Sequence, residues 1–122
     1  MDKEYKLIIC VVNRGFSEEV MDAARAAGAR GGTVLHGRGT SLHSHTVLGV
    51  RIEPEKELLL IAVERDGCRA VMEAINERAG LGTPGSGICL ALPIEDIIGL
   101  KAPAPAGVAS ADTKKPTEGA GE

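Results

Sequence analysis

Apolar residues fall in two rhythms along this chain. Residues 6–12 carry Leu-Ile-Ile-Cys-Val-Val, an unbroken β-branched run of the kind a strand shows when both faces are covered. Gly15 breaks it. Ser17 is then placed to cap a helix, with Glu18 and Glu19 in the first turn, where the helix dipole favours anions. Val20, Ala23, Ala24 and Ala27 recur at i, i+3, i+4, i+7 and mark one apolar helix face, which Gly28 ends. The alanines on that face imply close packing on a sheet. Thr33-Val34-Leu35-His36 reads as a second strand and residues 57–64 as a third. Asp66 is placed to cap a second helix whose apolar face is Cys68, Val71, Met72, Ile75 and Ala79, stopped by Gly80. Residues 88–92 read as a fourth strand, and Ile97-Ile98-Gly99-Leu100, after the acidic turn Glu95-Asp96, as a last edge strand.

Between strands two and three, residues 37–55, the pattern dissolves into glycine, histidine, Ser/Thr and Pro54. A connection of that length in so small a domain is functional or disordered. After Lys101 the composition changes again. Residues 102–122 hold three prolines, many Ala and Gly, and Val108 as their one sizeable apolar side chain. Such a segment buries too little surface to offset its ordering entropy and is expected to be a disordered tail beyond a domain of residues 1–101. The order β-α-β-loop-β-α-β predicts an α+β, ferredoxin-like βαββαβ fold, a four-stranded antiparallel sheet with two helices on one face. The strands are apolar on both faces, so the second face is expected to be buried against copies of the same chain.

Composition narrows the function. With 122 residues, 43% apolar and 25% charged, the chain has the make-up of one ordinary globular domain. Tyr5 and Phe16 are its only aromatics, so its core is aliphatic. A net charge of −3 argues against a nucleic-acid surface, which needs a basic stripe. No apolar run is long enough to span a membrane, and the acidic start does not read as a signal peptide. Cys10, Cys68 and Cys89 form an odd, widely spaced set without CxxC, which suits free thiols in a reducing cytoplasm.

Two segments carry candidate chemistry. Gly31-Gly-Thr-Val-Leu-His-Gly-Arg-Gly39 runs a strand into glycines around Arg38, and Gly82-Thr-Pro-Gly-Ser-Gly-Ile88 is a glycine-rich turn between helix and strand. Glycine lets backbone N–H groups approach phosphate oxygens, and arginine adds bidentate, charge-assisted bonds. A lone glycine turn is more often only a turn; two such segments flanking one cleft between subunits make the phosphate reading an even match. His36, His43 and His45 invite a metal reading, but no carboxylate or thiol stands at ligand spacing, and no metal is expected. The cysteines sit in apolar contexts with no neighbouring base, as core thiols do. Glu18-Glu19 and Glu95-Asp96 read as helix-start and turn residues, and the run from Glu53 to Glu57 as a solvated loop base. No nucleophile–base pair points to an enzyme.

The segments His36-Gly-Arg-Gly-Thr40 and Ile52-Glu-Pro-Glu-Lys-Glu57, with the Gly-Gly-Thr entry to strand two and the turn of residues 82–87, resemble the PII signalling proteins, and among them the divergent, short-looped PII-like nitrogen regulators. The resemblance covers residues 6–101. It implies a homotrimer that binds an adenine nucleotide (ATP, ADP or AMP) in clefts between subunits and contacts a target protein, a membrane transporter or an enzyme of nutrient assimilation, through the loop of residues 38–55. Carried over by position, Gly37, Arg38, Gly39 and Thr40 start that loop and face phosphates. Gly85, Ser86 and Gly87 form the cradling turn, and Lys101 stands where the family places a C-terminal basic residue. Ser41, His43 and His45 fall in the effector loop. The family's nitrogen sensors have Gln, which holds magnesium and 2-oxoglutarate, where this chain has Gly39, and Gly-Asp-Gly-Lys where it has Gly85-Ser-Gly-Ile88. A second class with this fold, the divalent-cation tolerance proteins, makes a metal- or anion-binding trimer the alternative.

Overall fold

The computed structural model describes residues 3–40, 45–52, 54–83 and 85–100. The expectations for Ser41, His43, Lys101 and the tail of residues 102–122 lie outside the described residues. Within them the order is β1 (Tyr5–Asn13), α1 (Ser17–Ala26), β2 (Thr33–Arg38), β3 (His45–Val47), β4 (Val50–Ile52), β5 (Glu55–Glu64), α2 (Arg65–Ala79) and β6 (Gly87–Ile94). The main sheet has the order β2-β5-β1-β6, and every pairing is antiparallel. With both helices on one face, this is the α+β, ferredoxin-like arrangement expected from the sequence.

Alternation along the two central strands explains why two helices suffice. Ile8, Cys10 and Val12 of β1, with Leu59, Ile61 and Val63 of β5, point under the helices and are buried. They meet Val20, Met21 and Ala24 of α1 and Cys68, Val71 and Ile75 of α2. This core is wholly aliphatic and thiol-bearing. The residues of opposite parity, Leu7, Ile9 and Val11 of β1 and Leu58 and Leu60 of β5, lie on the other face, which no element of the described chain covers. At its margins Leu35, Ile88 and Leu92 are 45%, 53% and 47% exposed.

Four local expectations need correction. Ser17 is the first residue of α1 and not its cap: Phe16 holds the cap position, without a side-chain bond. The acceptor comes instead from β5, where Glu57 Oε1 takes the N–H groups of Gly15 (3.2 Å) and Ser17 (3.1 Å). Glu57 is therefore buried, not part of a solvated loop base. Nor does Asp66 cap α2, which starts at Arg65 after an uncapped Glu64. Ile97-Ile98-Gly99-Leu100 is no strand; Ile98 is fully exposed and Gly99 turns the chain with a positive φ. A strand needs a partner's backbone, and none is offered to that segment.

The long connection also has structure of its own. β3 and β4 pair as a hairpin whose two-residue turn is Leu48-Gly49, with φ of 53° and 81°. Positive φ at both central positions is the signature of the hairpin turn whose twist matches its strands. The roots of the arm are tied to each other: Arg38 pairs with Glu55, and Gly39 N–H donates to the Pro54 carbonyl at 2.8 Å.

Candidate functional site

One end of the main sheet gathers the polar side chains. There β2 ends at Arg38, β5 begins at Glu55, β1 ends at Asn13 and β6 begins at Gly87. An open groove of about 500 Å³ at this end is lined by Arg14, His36, Gly37, Arg38, Glu55 and Lys56. Among the described residues, Arg14, Arg38 and Lys56 line it together with the Glu55 carboxylate. Arg14 Nη1 meets Glu55 Oε1 at 2.6 Å, an exposed pair that holds the arm's second root beside the end of β1. Arg14 N–H also donates to the Glu55 carbonyl at 3.2 Å.

Asn13 links this groove to the glycine-rich turn. Its Oδ1 accepts from Lys56 Nζ at 2.6 Å, and its Nδ2 donates to the Gly85 carbonyl at 3.2 Å. Lys56 is thus held toward the turn, between the two segments the sequence singled out. Arg14, Asn13 and Lys56 were not found by sequence reasoning. Their signal is topological: each stands at a strand end that the antiparallel order places beside Arg38.

Beneath the groove, Glu57 Oε2 lies 3.9 Å from His36 Nδ1. Burial pushes the Glu57 carboxyl up, but the Ser17 hydroxyl, the Ser17 and Gly15 N–H groups and the nearby His36 outweigh it, and the net shift is downward. Glu57 is therefore an ionised structural anion whose acceptors are used by α1.

Gly37, Arg38, Gly39 and Thr40 sit on the β2 edge, and Gly85, Ser86 and Gly87 on the β6 edge of the same sheet end. Three strand spacings separate those edges, about 14 Å, so one phosphate cannot touch both within a single chain. The turn itself is folded by consecutive backbone bonds, Thr83 N–H to the Gly80 carbonyl (3.0 Å) and Ser86 N–H to the Thr83 carbonyl (3.1 Å). One donor of the expected cradle is accordingly engaged. Gly87 has a reason of its own to be glycine: at φ 134°, a Cβ would collide with the Val11 carbonyl oxygen of the neighbouring strand. His45 is the first residue of β3.

Among the described residues, no group of three or more His, Cys, Asp or Glu is placed to hold a metal ion. No helix among them is long and apolar enough to cross a membrane.

No family model matches the chain. No curated protein matches it either. Solved structures do, and the class they define with the topology above is that of the PII-like fold. The crystal structure of Arabidopsis thaliana PII bound to citrate is 27% identical, covers 81% of this chain and 85% of its own, and superposes with a TM-score of 0.65. The PII resemblance read from residues 36–40 and 52–57 is thereby shown in the fold. It supports a PII-family regulator and points to signalling rather than catalysis.

Proposed function

We propose that the protein is a PII-like regulator, a homotrimer that binds an adenine nucleotide between subunits and reports it to a partner protein through the arm of residues 38–55. The observation that carries the reading is the division of the candidate site. Its two glycine segments share one end of the sheet but occupy opposite edges. A ligand that uses both must lie where the β2 edge of one subunit meets the β6 edge of the next. The uncovered apolar sheet face supplies the surface on which subunits would pack. Light scattering is expected to give three chains per particle, and a stable monomer at micromolar concentration would remove the cleft and the proposal with it.

Within that cleft Arg38, Lys56 and Arg14 would meet phosphate oxygens, with Lys56 aligned by Asn13. The start of the arm, Arg38, is also a phosphate contact in this reading, so a nucleotide biases the arm's conformation and a partner senses that bias as affinity. The partner is a transporter or an enzyme of nutrient assimilation, and the setting cytoplasmic. Titration of the purified protein with ATP, ADP, AMP and cyclic AMP is expected to show saturable binding. Arg38→Ala should weaken it by roughly 10- to 150-fold, the loss of one charge-assisted pair. Equal affinity in wild type and variant would show that the phosphate lies elsewhere. The same titration extended to citrate, zinc and copper decides the alternative, a metal- or anion-binding trimer: binding of these without any nucleotide would favour it.

A further inference from the structure

The cysteines take no part in the site above, yet two of them are not ordinary core residues. Cys10 on β1 and Cys89 on β6 stand directly opposite in the strand register. Such pairs have Cα atoms about 4.5–5.5 Å apart with side chains on the same face, inside the range of about 4.4–6.8 Å that a disulfide spans. Their access to solvent differs. Cys10 is fully buried, whereas Cys89 is half-buried and lines an open groove of about 330 Å³ with Met72, Asn76, Gly82 and Gly87.

We propose that Cys10 and Cys89 form a peroxide-reactive dithiol, with Cys89 the attacking sulfur and Cys10 the resolving one. In the first step the Cys89 thiolate attacks one peroxide oxygen. The O–O bond breaks, the departing oxygen leaves as alcohol or water after taking a proton, and Cys89 becomes a sulfenic acid. In the second step the Cys10 sulfur attacks Cys89, the S–O bond breaks, and the hydroxyl leaves with the Cys10 proton as water. The two sulfurs lose two electrons, and the peroxide gains them.

The order of events follows from the pair's electrostatics as well as its access. The neighbouring Cys89, then burial, pushes the Cys10 thiol up and keeps it protonated. The neighbouring Cys10 lowers Cys89 against its partial burial, so the thiolate forms on the sulfur that faces the groove. Once Cys89 is oxidised its negative charge is gone, and the hold on the Cys10 proton weakens. Cys68, buried on α2 with its Sγ 3.8 Å from Met72 Sδ, is pushed up by burial and remains a spectator. The disulfide would clamp β6 to β1 two residues from Gly87, at the root of the glycine-rich turn.

The test uses the full, reduced chain and hydrogen peroxide at stoichiometric dose. Free thiols are expected to fall from three to one, reversibly with dithiothreitol, and peptide mapping should join Cys10 to Cys89 within one chain. Cys10→Ala should instead leave a sulfenic acid on Cys89 that dimedone traps. Cys89→Ala should leave both remaining thiols unreacted. The wild-type map alone decides the matter if a variant fails to fold by circular dichroism. Three surviving thiols, a bridge to Cys68, or a bridge between chains would each overturn the proposal.

Discussion

Gly87→Val is expected to lower the melting temperature by roughly 12–24 °C, the equivalent of about 3 kcal/mol in a domain of this size. Two costs combine. The backbone at φ 134° is a region that residues with a side chain rarely enter. The new Cβ would also be driven into the Val11 carbonyl, so the β1–β6 ladder must shift or open at its end. Gly87→Ala brings the same Cβ and should fall nearly as far. Gly85→Ala is the control, because its positive φ is unfavourable but nothing lies within 4 Å of the added atom. That change should cost about 1 kcal/mol, or roughly 4–8 °C. If calorimetry found Gly87→Val and Gly85→Ala equally mild, the close approach to Val11 would have no energetic weight. Lost ligand binding in Gly87→Val would report the sheet and not a phosphate contact, which is why Arg38 carries the binding test.

Glu57→Ala should destabilise the fold by about 1.5–3 kcal/mol, since it strands the Gly15 and Ser17 N–H groups at the start of α1. Glu57→Gln keeps the shape and separates out the charge. The folded-state carboxyl titrates below its ordinary range, so its contribution is fully present above the unfolded value, about 4.3. That contribution is lost as pH falls through the lower folded value. The stability gap between wild type and Glu57→Gln, measured by denaturant melts, should therefore be open at about pH 5 and close below about pH 4. A gap that persisted unchanged well below about pH 4 would contradict the capping role.

How far the sequence could foretell these features depended on the range of the interaction. The aliphatic runs of β1 and β5, the i, i+3, i+4 faces of α1 and α2, and the glycine that stops α2 were all readable, because each is decided within a few residues. The β3–β4 hairpin was not: its strands are three residues long, and its turn carries Leu48 where Asn or Gly would advertise it. Glu57 was misread because a charged residue beside Pro54 suggests solvent. Parity held the clue, since Glu57 continues the inward series Leu59, Ile61 and Val63. Ile97 and Ile98 misled in the opposite way, being apolar but without a neighbouring strand. At the candidate site, Arg38 and the turn of residues 85–87 were found from glycine and charge alone. Asn13, Arg14 and Lys56 were not, because their proximity exists only once β1 and β5 are paired.

The strand order also has a consequence for how the chain is made. β1 is central, and both of its neighbours, β5 and β6, are synthesised after it. At ordinary elongation rates the ribosome takes roughly 4–16 s to travel from the end of β1 to the end of β6. During that interval a run of residues without charge or proline, Leu7-Ile-Ile-Cys-Val-Val12, has neither edge paired. Such a segment readily finds the same segment on a nascent neighbour. On a polysome, β1 is thus the part of the chain that most needs shielding, and that need ends only when the last strand emerges and closes the sheet.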